Sequence, residues 1–455
     1  MTRNIAATNP NHIGIPYRKS TSLAHATRSR LVGCLCQIVK VLSSILESDH
    51  GTNDEYEEGS ESQISTQPSS VKKLVMPQPF RDAFACHLYM LFSVMFFVES
   101  EAKIGSGLKS GMRRENTPEV EETIAMRALC AQAMLVASQS MSKNRTKMWK
   151  RGVPDESVVL LPCRIAYQML ESATGVLARR AASADAALGM IAATVDSGET
   201  LLGTIVAALM DLLHSYEHMA TLCAELCCMV SEKPTNRLAI EIIREIGRLD
   251  VSGQGDSGKA SGIKFVSPFV TELAERRPRL VLANISHLLP HLNSEPYCLR
   301  SAIVTALGHI IEYIGKSHLV GQIQSQPVNS MEMTIEDGED GSRPNVERQR
   351  SSLLDILEAR SHDVSSYTRS AVLKAWISLT QAGTLPVERV LPVTALAIDR
   401  LNDKTVAVRR QSLQVSVIAS RKKLTESCSY AALTFLSLVV DDIARKQSIH
   451  GRSRS

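Results

Sequence analysis

The chain has 455 residues, of which 44% are hydrophobic, 22% are charged and only 4% are aromatic. The apolar content is too high for a disordered chain, and 24 Gly and 17 Pro are too few for a collagenous or low-complexity protein. The shortage of aromatic residues argues against a β-sandwich or β-barrel, because strands favour aromatic and β-branched side chains. A formal net charge of +4 neither requires nor excludes a nucleic-acid partner.

The N-terminal residues lack the apolar core of a signal peptide, so we expect none. The longest uncharged apolar run covers residues 83–98 and contains His87. It is short for a membrane span, which predicts a buried helix and no membrane partner. Ten cysteines in such a chain indicate reduced thiols in the cytosol or nucleus.

Helical patterns dominate the chain, and no convincing run of alternating strand residues is found. We predict an acidic disordered insert between two repeat-bearing regions, and a mostly disordered N-terminal segment with one helix and an acidic linker. In chain order the predicted parts are the N-terminal segment 1–75 (helix 31–46), a helical region 76–200, a repeat region 201–320, the insert 321–350 and a second repeat region 351–455.

Three segments share one pattern, in which a short polar residue is followed six positions later by an arginine and then by an apolar helix. They begin at Ser294, Asp363 and Asp403, and their arginines are Arg300, Arg369 and Arg409. The last two arginines lie 40 residues apart, and the first two lie 42 apart when the polar insert is left out. A period of about 40 with two helices per unit is typical of HEAT repeats. The predicted fold is therefore an all-α solenoid of HEAT-type repeats.

The layout shared by these three segments has a physical explanation. Asp363 and Asp403 can accept hydrogen bonds from unpaired amides at the start of the following helix. Each arginine can pair with such an aspartate in its own or a neighbouring repeat. We predict a structural ladder through Arg300, Asp363, Arg369, Asp403 and Arg409, with a direct ligand role as the alternative.

Five segments together resemble a known family. They are His214–Leu226, Arg237–Asp250, Gly262–Gly308, Ser361–Trp376 and Ala397–Leu413. In order and spacing they are similar to condensin complex subunit 1, the family of HEAT-repeat non-SMC subunits of condensin. Members of that family run far longer, so we expect this chain to be a truncated, partial or divergent short member.

The resemblance implies a non-catalytic scaffold that acts in mitotic chromosome condensation, in the nucleus and on chromosomes with a cytoplasmic pool. It implies binding to the kleisin subunit and the SMC subunits, regulation of the SMC ATPases, and sequence-independent contact with DNA and chromatin. No cofactor or metal is implied. The alternatives are an unrelated HEAT-repeat adaptor, such as a transport or phosphatase scaffold, and a metal-binding enzyme.

Two motifs bear on the enzyme alternative. Pairs at helical i, i+4 spacing could bind zinc through His214, His218, Cys223 and Cys227. Their spacing differs from that of structural zinc sites, so we expect buried cysteines and hydrogen-bonded histidines instead. Residues 253–260 nearly spell a phosphate loop, but Ala260 stands where Ser or Thr should hold magnesium.

A basic cluster is the candidate nucleic-acid contact. It surrounds Trp149 and consists of Lys143, Arg145, Lys147, Lys150 and Arg151. Contact with phosphates needs little more than Lys and Arg on a surface that follows the backbone. The alternative is a solvated loop.

Overall fold

The computed structural model describes residues 16–48, 75–107, 118–149, 152–174, 182–230, 237–249, 257–324 and 343–426. Every regular element in these ranges is a helix, and the described residues form no β-strand. The predicted all-α class is therefore confirmed. Most of the predicted acidic linker and acidic insert lies outside the described residues.

The chain divides into two compact units. The first contains the described residues up to Leu212, and the second contains those from Leu213 onward. The helices of the first unit are α1 (Pro16–Glu47), α2 (Gln78–Gly107), α3 (Pro118–Lys143), α4 (Arg145–Met148), α5 (Glu156–Ser172), α6 (Ala182–Ser197) and most of α7 (Leu202–Ser215). Helix α1 begins well before the predicted residue 31. The main packing pairs are α1 with α3, α3 with α6, and α5 with α6.

Helix α2 contains the apolar run predicted as a buried helix. Its inward side is buried through Phe84, Leu88, Leu91 and Met95. Its other side exposes large apolar side chains, among them Tyr89, Met90, Phe96 and Phe97. The expected burial therefore holds on one side of the helix only.

Two stretches of the first unit have the length and apolar composition of a membrane-crossing helix. They are Ser29–Glu47 in α1 and Gln78–Phe97 in α2. In the folded unit α1 packs against both α2 and α3. The outer side of α1 also exposes apolar residues, including Leu31 and Val41.

The second unit contains the repeats. Its helices are α8 (Met219–Val230), α9 (Leu238–Gly247), α10 (Ser257–Arg276), α11 (Pro278–Ala283), α12 (Tyr297–Gln324), α13 (Arg343–Ala359), α14 (Ser366–Gln381), α15 (Val387–Asp399) and α16 (Val406–Glu426). One layer is formed by α8, α10, α12, α14 and α16, each packed on the next. Helices α11 and α13 lie against this layer on α12, and α15 lies against it on α16. Stacked helix pairs of this kind bury an apolar face that one pair alone would leave open.

Local sequence explains how each repeat begins and how closely its helices pack. A single 3₁₀ turn, Arg360–His362 or Arg400–Asn402, precedes each ladder aspartate, which is the first extended residue before the next helix. Small residues allow α12 and α14 to approach, since a Cβ added to Gly308 would lie 2.9 Å from the Cβ of Ala375. Packing by Gly and Ala in place of large side chains accounts for part of the low aromatic content.

Candidate functional site

The first rung of the ladder joins two consecutive repeats. The Arg300 guanidinium donates from Nε to Oδ2 of Asp363 at 3.1 Å and from Nη2 to Oδ1 at 3.0 Å. Its third nitrogen, Nη1, donates to the backbone oxygens of Ser294 and Glu295 in the turn before α12. One side chain therefore holds its own turn and the following repeat at the same time.

The second rung repeats this geometry one unit further along. Arg369 donates from Nε to Oδ2 of Asp403 at 2.7 Å and from Nη2 to Oδ1 at 3.0 Å. Its Nη1 donates to the backbone oxygens of Asp363 at 2.7 Å and Val364 at 2.9 Å. In both rungs the arginine pairs with the aspartate of the next repeat. Arg369 does so although its own repeat offers Asp363, whereas the repeat of Arg300 has Ser294 at that position.

Each ladder carboxylate also organises the start of a helix. Asp363 Oδ1 accepts from the Ser365 amide at 2.8 Å, and Asp403 Oδ1 accepts from the Thr405 amide at 2.9 Å. The side chains of the two aspartates are only 4% and 3% exposed. Buried carboxylates of this kind are tolerated because charge-assisted, bidentate hydrogen bonds replace their hydration.

Arg409 is the last ladder arginine in the described part of the chain. Its Nη1 donates to the backbone oxygens of Asp403 at 2.7 Å and Lys404 at 3.0 Å, as in the two earlier repeats. Among the described residues, no carboxylate pairs with its remaining nitrogens. Within the described repeats, the ladder thus has two complete rungs and a third arginine that its own turn holds through Nη1 in the same way.

Hydroxyl groups form further links that sequence reasoning missed. Ser301 and Thr368 lie 3.2 Å apart between α12 and α14, Ser370 donates to Gln411 on α16 at 2.6 Å, and Ser378 donates to Glu312 at 2.7 Å. A signal was present, because Ser301 and Ser370 each directly follow a ladder arginine. Short polar side chains at that position fit the narrow space between adjacent helices of the layer.

Because of the ladder, the free energy of unfolding of the second unit should depend on pH. Burial by itself raises the pKa of Asp403, but hydrogen bonds from Arg369 and the Thr405 amide, with the charges of Arg369 and Arg400, bring it below its ordinary value of 3.8. The folded state therefore favours the ionised carboxylate. Its contribution to stability is complete above the unfolded-state pKa and is lost as pH falls through the folded-state pKa.

The measurement is the free energy of unfolding of the parent chain and of Asp403→Asn, from about pH 6 down to about pH 2.5. We expect the variant to be less stable at the upper end, and the two proteins to converge as Asp403 becomes protonated. A difference that stays constant over this range would contradict the assignment.

The four candidate zinc ligands, His214, His218, Cys223 and Cys227, lie in the second unit and pack against its other residues. His214 lies against Gly262, where an added Cβ would be 2.7 Å from His214 Cδ2. The ring of His218 lies 5.7 Å from that of Tyr216. Cys223 and Cys227 are buried in α8, and burial raises the pKa of Cys223 to about 12.

These environments do not favour the metal-binding alternative. Desolvation also raises the pKa of Cys227, and metal binding requires the thiolate form. In the described ranges, no three His, Cys, Asp or Glu side chains are grouped so that they could hold a metal ion. The phosphate-loop-like segment falls partly outside the described residues, and α10 begins at Ser257.

The basic cluster is only partly described. Lys143 is exposed at the end of α3. Arg145 Nη1 donates to the Ser197 backbone oxygen at 3.4 Å, and Lys147 Nζ donates to that of Leu46 at 3.3 Å. These oxygens lie at the C-terminal ends of α6 and α1, where carbonyls lack helical partners. Two of the five cations therefore help to hold helix ends together, while Lys150 and Arg151 lie outside the described residues.

An open groove lies between α10 and α12 in the second unit. It has a volume of about 400 Å³ and is lined by Lys264, Ser267, Thr271, Glu272, Ser301 and Thr305 among others. Beside it, Tyr297 and Tyr367 are exposed and stack with their ring centroids 4.8 Å apart. Nothing in this groove is grouped in the manner of a catalytic site.

Stacked helix pairs joined by a repeated arginine–aspartate pair define the class of this protein, which is a HEAT-type helical-repeat scaffold. No protein-family model matches the chain. Curated proteins do match it. It is 29% identical to condensin complex subunit 1 of Xenopus laevis over 59% of this chain, and 28% identical to that of Mus musculus over 68%. It is 27% identical over 62% of its length to the condensin-1 complex subunit CAP-D2 of Arabidopsis thaliana.

The resemblance expected from the sequence is thereby confirmed across animals and a plant. The matched part amounts to 18–20% of the length of these three relatives, so the chain spans about a fifth of them. What the complete relatives do is therefore carried to this chain as a proposal.

Proposed function

We propose that this chain forms part of a HEAT-repeat scaffold subunit of condensin that acts in mitotic chromosome condensation. The observation that carries this proposal is the similarity to condensin complex subunit 1 proteins over 59–68% of the chain in vertebrates and a plant. The names of these relatives favour condensin over an unrelated transport or phosphatase adaptor. The protein then works in the nucleus and on chromosomes, with a cytoplasmic pool, and it has no catalytic activity of its own.

The repeat architecture suits this role physically. Each repeat of a solenoid contacts mainly its neighbours, so small changes at successive interfaces add up to bending of the whole array. An array of this kind can bind the kleisin subunit along an extended surface and follow movements of the SMC ATPases. In this proposal the Arg300–Asp363 and Arg369–Asp403 rungs set the spacing of the repeats, and do not contact the partners.

The proposal is tested by depleting the protein from dividing cells that express it. We expect mitotic chromosomes that remain long and poorly compacted, with restoration by a depletion-resistant copy of the complete gene. A copy carrying Arg369→Ala and Asp403→Ala should restore compaction poorly if intact repeats are needed. Normal chromosome compaction after complete depletion would overturn the proposal.

We also propose that the basic cluster contacts DNA phosphates without sequence preference. The test variant changes Lys143, Lys150 and Arg151 to Gln, because Arg145 and Lys147 hold helix ends as well. Each lost phosphate contact should lower the slope of log affinity against log salt by about 0.9, which gives a total decrease of about 2–3.

The matched control removes two Lys and one Arg from the second unit. Lys374, Lys404 and Arg410 are exposed there and can be changed to Gln together. We expect the control to keep the parental salt dependence. Equal salt slopes for the parent and the test variant would exclude the basic cluster from the DNA interface.

A further inference from the structure

Two buried cysteines meet at the interface between α1 and α3. The sulfur atoms of Cys36 and Cys130 lie 3.8 Å apart, although 94 positions separate the two residues in the sequence. Both side chains are 0% exposed. The sulfurs of a disulfide lie about 2.0 Å apart, so the two atoms need to approach by only about 1.8 Å to be joined.

The packing around this pair holds the two helices in register. Two turns along α1 from Cys36, the backbone oxygen of Ser43 accepts a hydrogen bond from Ser140 Oγ of α3 at 3.0 Å. Between Cys130 and Ser140, the same side of α3 carries the small buried residues Ala133 and Ala137. Because the side chains at a contact set the distance between two helices, this side of α3 lets α1 approach closely. The contact of the two sulfurs is therefore set by the helix backbones.

The two thiols differ in how readily they ionise. When Cys36 is ionised, the S–H of Cys130 donates to its sulfur. This hydrogen bond, with the charge of Lys40, brings the pKa of Cys36 below its ordinary value of 9.0, although burial raises it. The same hydrogen bond and burial raise the pKa of Cys130. Since the thiolate is the reactive form, Cys36 is the nucleophile of the pair and Cys130 is its resolving partner.

A small oxidant has a short route to Cys36. Gly33 lies one turn before Cys36 on α1 and is only partly buried. Among the described residues, a Cβ added to Gly33 would meet no side chain within 4 Å beyond those of its chain neighbours. The helix surface next to the thiol is therefore thinly covered, and a molecule the size of hydrogen peroxide can reach Cys36 through a small local opening.

We propose that Cys36 and Cys130 form an oxidant-sensitive thiol pair, which hydrogen peroxide converts to a disulfide that fixes α1 on α3. The Cys36 sulfur attacks one peroxide oxygen, the O–O bond breaks, and Cys36 becomes a sulfenic acid while the other oxygen leaves as water. The Cys130 sulfur then attacks the Cys36 sulfur, the S–S bond forms, and the sulfenic oxygen leaves as a second water. Two thiols thereby lose two electrons and two protons, which one hydrogen peroxide takes up.

The disulfide changes how firmly α1 is held. In reducing surroundings the pair stays as two thiols, and α1 can open locally from α2 and α3, on which it packs. After oxidation this opening is closed, and the link across 94 positions also restricts the unfolded chain. A dithiol reductant returns the unit to its starting state, so the change is reversible.

The test follows the thiols of the full chain during treatment with hydrogen peroxide. A Cys34→Ser and Cys86→Ser background removes two exposed thiols of the first unit, and mass spectrometry of unreduced, alkylated peptides measures the disulfide. Cys163 is the matched control, because it is a buried thiol of the same unit and burial raises its pKa to about 12. We expect the Cys36–Cys130 disulfide to form about tenfold faster than Cys163 is oxidised. It should also form about tenfold faster in the folded chain than in the urea-unfolded chain.

Two further readouts separate the steps. Cys130→Ser should stop Cys36 at the sulfenic acid, which dimedone traps as an adduct. In the parent background, hydrogen–deuterium exchange at the amides of residues 32–46 should slow about fivefold on oxidation and recover after dithiothreitol. In Cys36→Ser, peroxide should leave the exchange of these amides unchanged.

Three outcomes would overturn the proposal. The first is full alkylation of Cys36 and Cys130 at a peroxide dose that already oxidises Cys163. The second is an equal rate of disulfide formation in the folded and unfolded chains, because the fold would then not place the pair for reaction. The third is faster exchange of α1 after oxidation, because the disulfide would then distort the packing of α1 on α3.

Discussion

Arg369→Ala is expected to destabilise the second unit by about 2–4 kcal/mol, because it leaves a buried carboxylate without its partner. Arg369 makes two hydrogen bonds to Asp403 and two to backbone oxygens of its own turn. Asp403 is only 3% exposed, so water cannot replace the lost contacts without local opening. The loss should therefore far exceed that of a surface ion pair.

The two tryptophans of the chain make this measurement selective. Trp149 lies in the first unit and Trp376 in the second, so a Trp149→Phe background lets fluorescence during urea unfolding report the second unit alone. Lys374→Ala is the control, because this exposed residue lies on the same helix as Arg369. The double variant Arg369→Ala with Asp403→Ala should lose less than the sum of the single variants. A stability change in Arg369→Ala no larger than in Lys374→Ala would contradict the ladder.

Trp376→Ala is expected to cost about 3–5 kcal/mol in the free energy of unfolding of the second unit. Trp376 is the largest fully buried side chain in the described ranges, and it is 1% exposed within α14. Its neighbours cannot collapse fully into the space it would leave, because α12 and α14 already approach closely at Gly308. The loss is measured by circular dichroism during urea unfolding. If the two units unfold in separate transitions, the transition of the second unit is compared between the variant and the parent chain.

Trp376→Phe separates the shape of this side chain from its polarity. The indole Nε1 is buried and makes no hydrogen bond, so removing the N–H loses no contact. We expect the Phe variant to be destabilised much less than the Ala variant, by about 1–2 kcal/mol for the smaller volume. Equal losses in the two variants would indicate a hidden polar role for the indole.

The sequence predicts the repeat well because its signals are local and periodic. The 40-residue spacing of Arg369 and Arg409, and the aspartate six positions before each, can be read from the chain alone. The sequence does not show which aspartate pairs with each arginine, because pairing within a repeat and pairing with the next repeat would have the same sequence pattern. Three-dimensional stacking settles that choice in favour of the next repeat.

The contacts of the basic cluster, in contrast to the repeat, could not be predicted from local sequence. Five cations close together in sequence predict a positively charged surface, yet Arg145 and Lys147 donate to the ends of α6 and α1. Those carbonyls belong to residues about 50 and 100 positions away in the sequence, so no local sequence pattern predicts these contacts. The hydroxyl links between α12, α14 and α16 have a local signal in the serine that follows Arg300 and Arg369, but their partners come from another repeat and cannot be read from the sequence.

Co-purification with the kleisin subunit of condensin is the most direct test of the assignment of this chain to condensin. The complete gene product, tagged and expressed at its natural level, is purified from mitotic cells and its partners are quantified. We predict the kleisin and both SMC subunits in equal amounts with it. Recovery of the tagged protein without kleisin, or in equal amounts with transport or phosphatase subunits instead, would contradict the assignment to condensin.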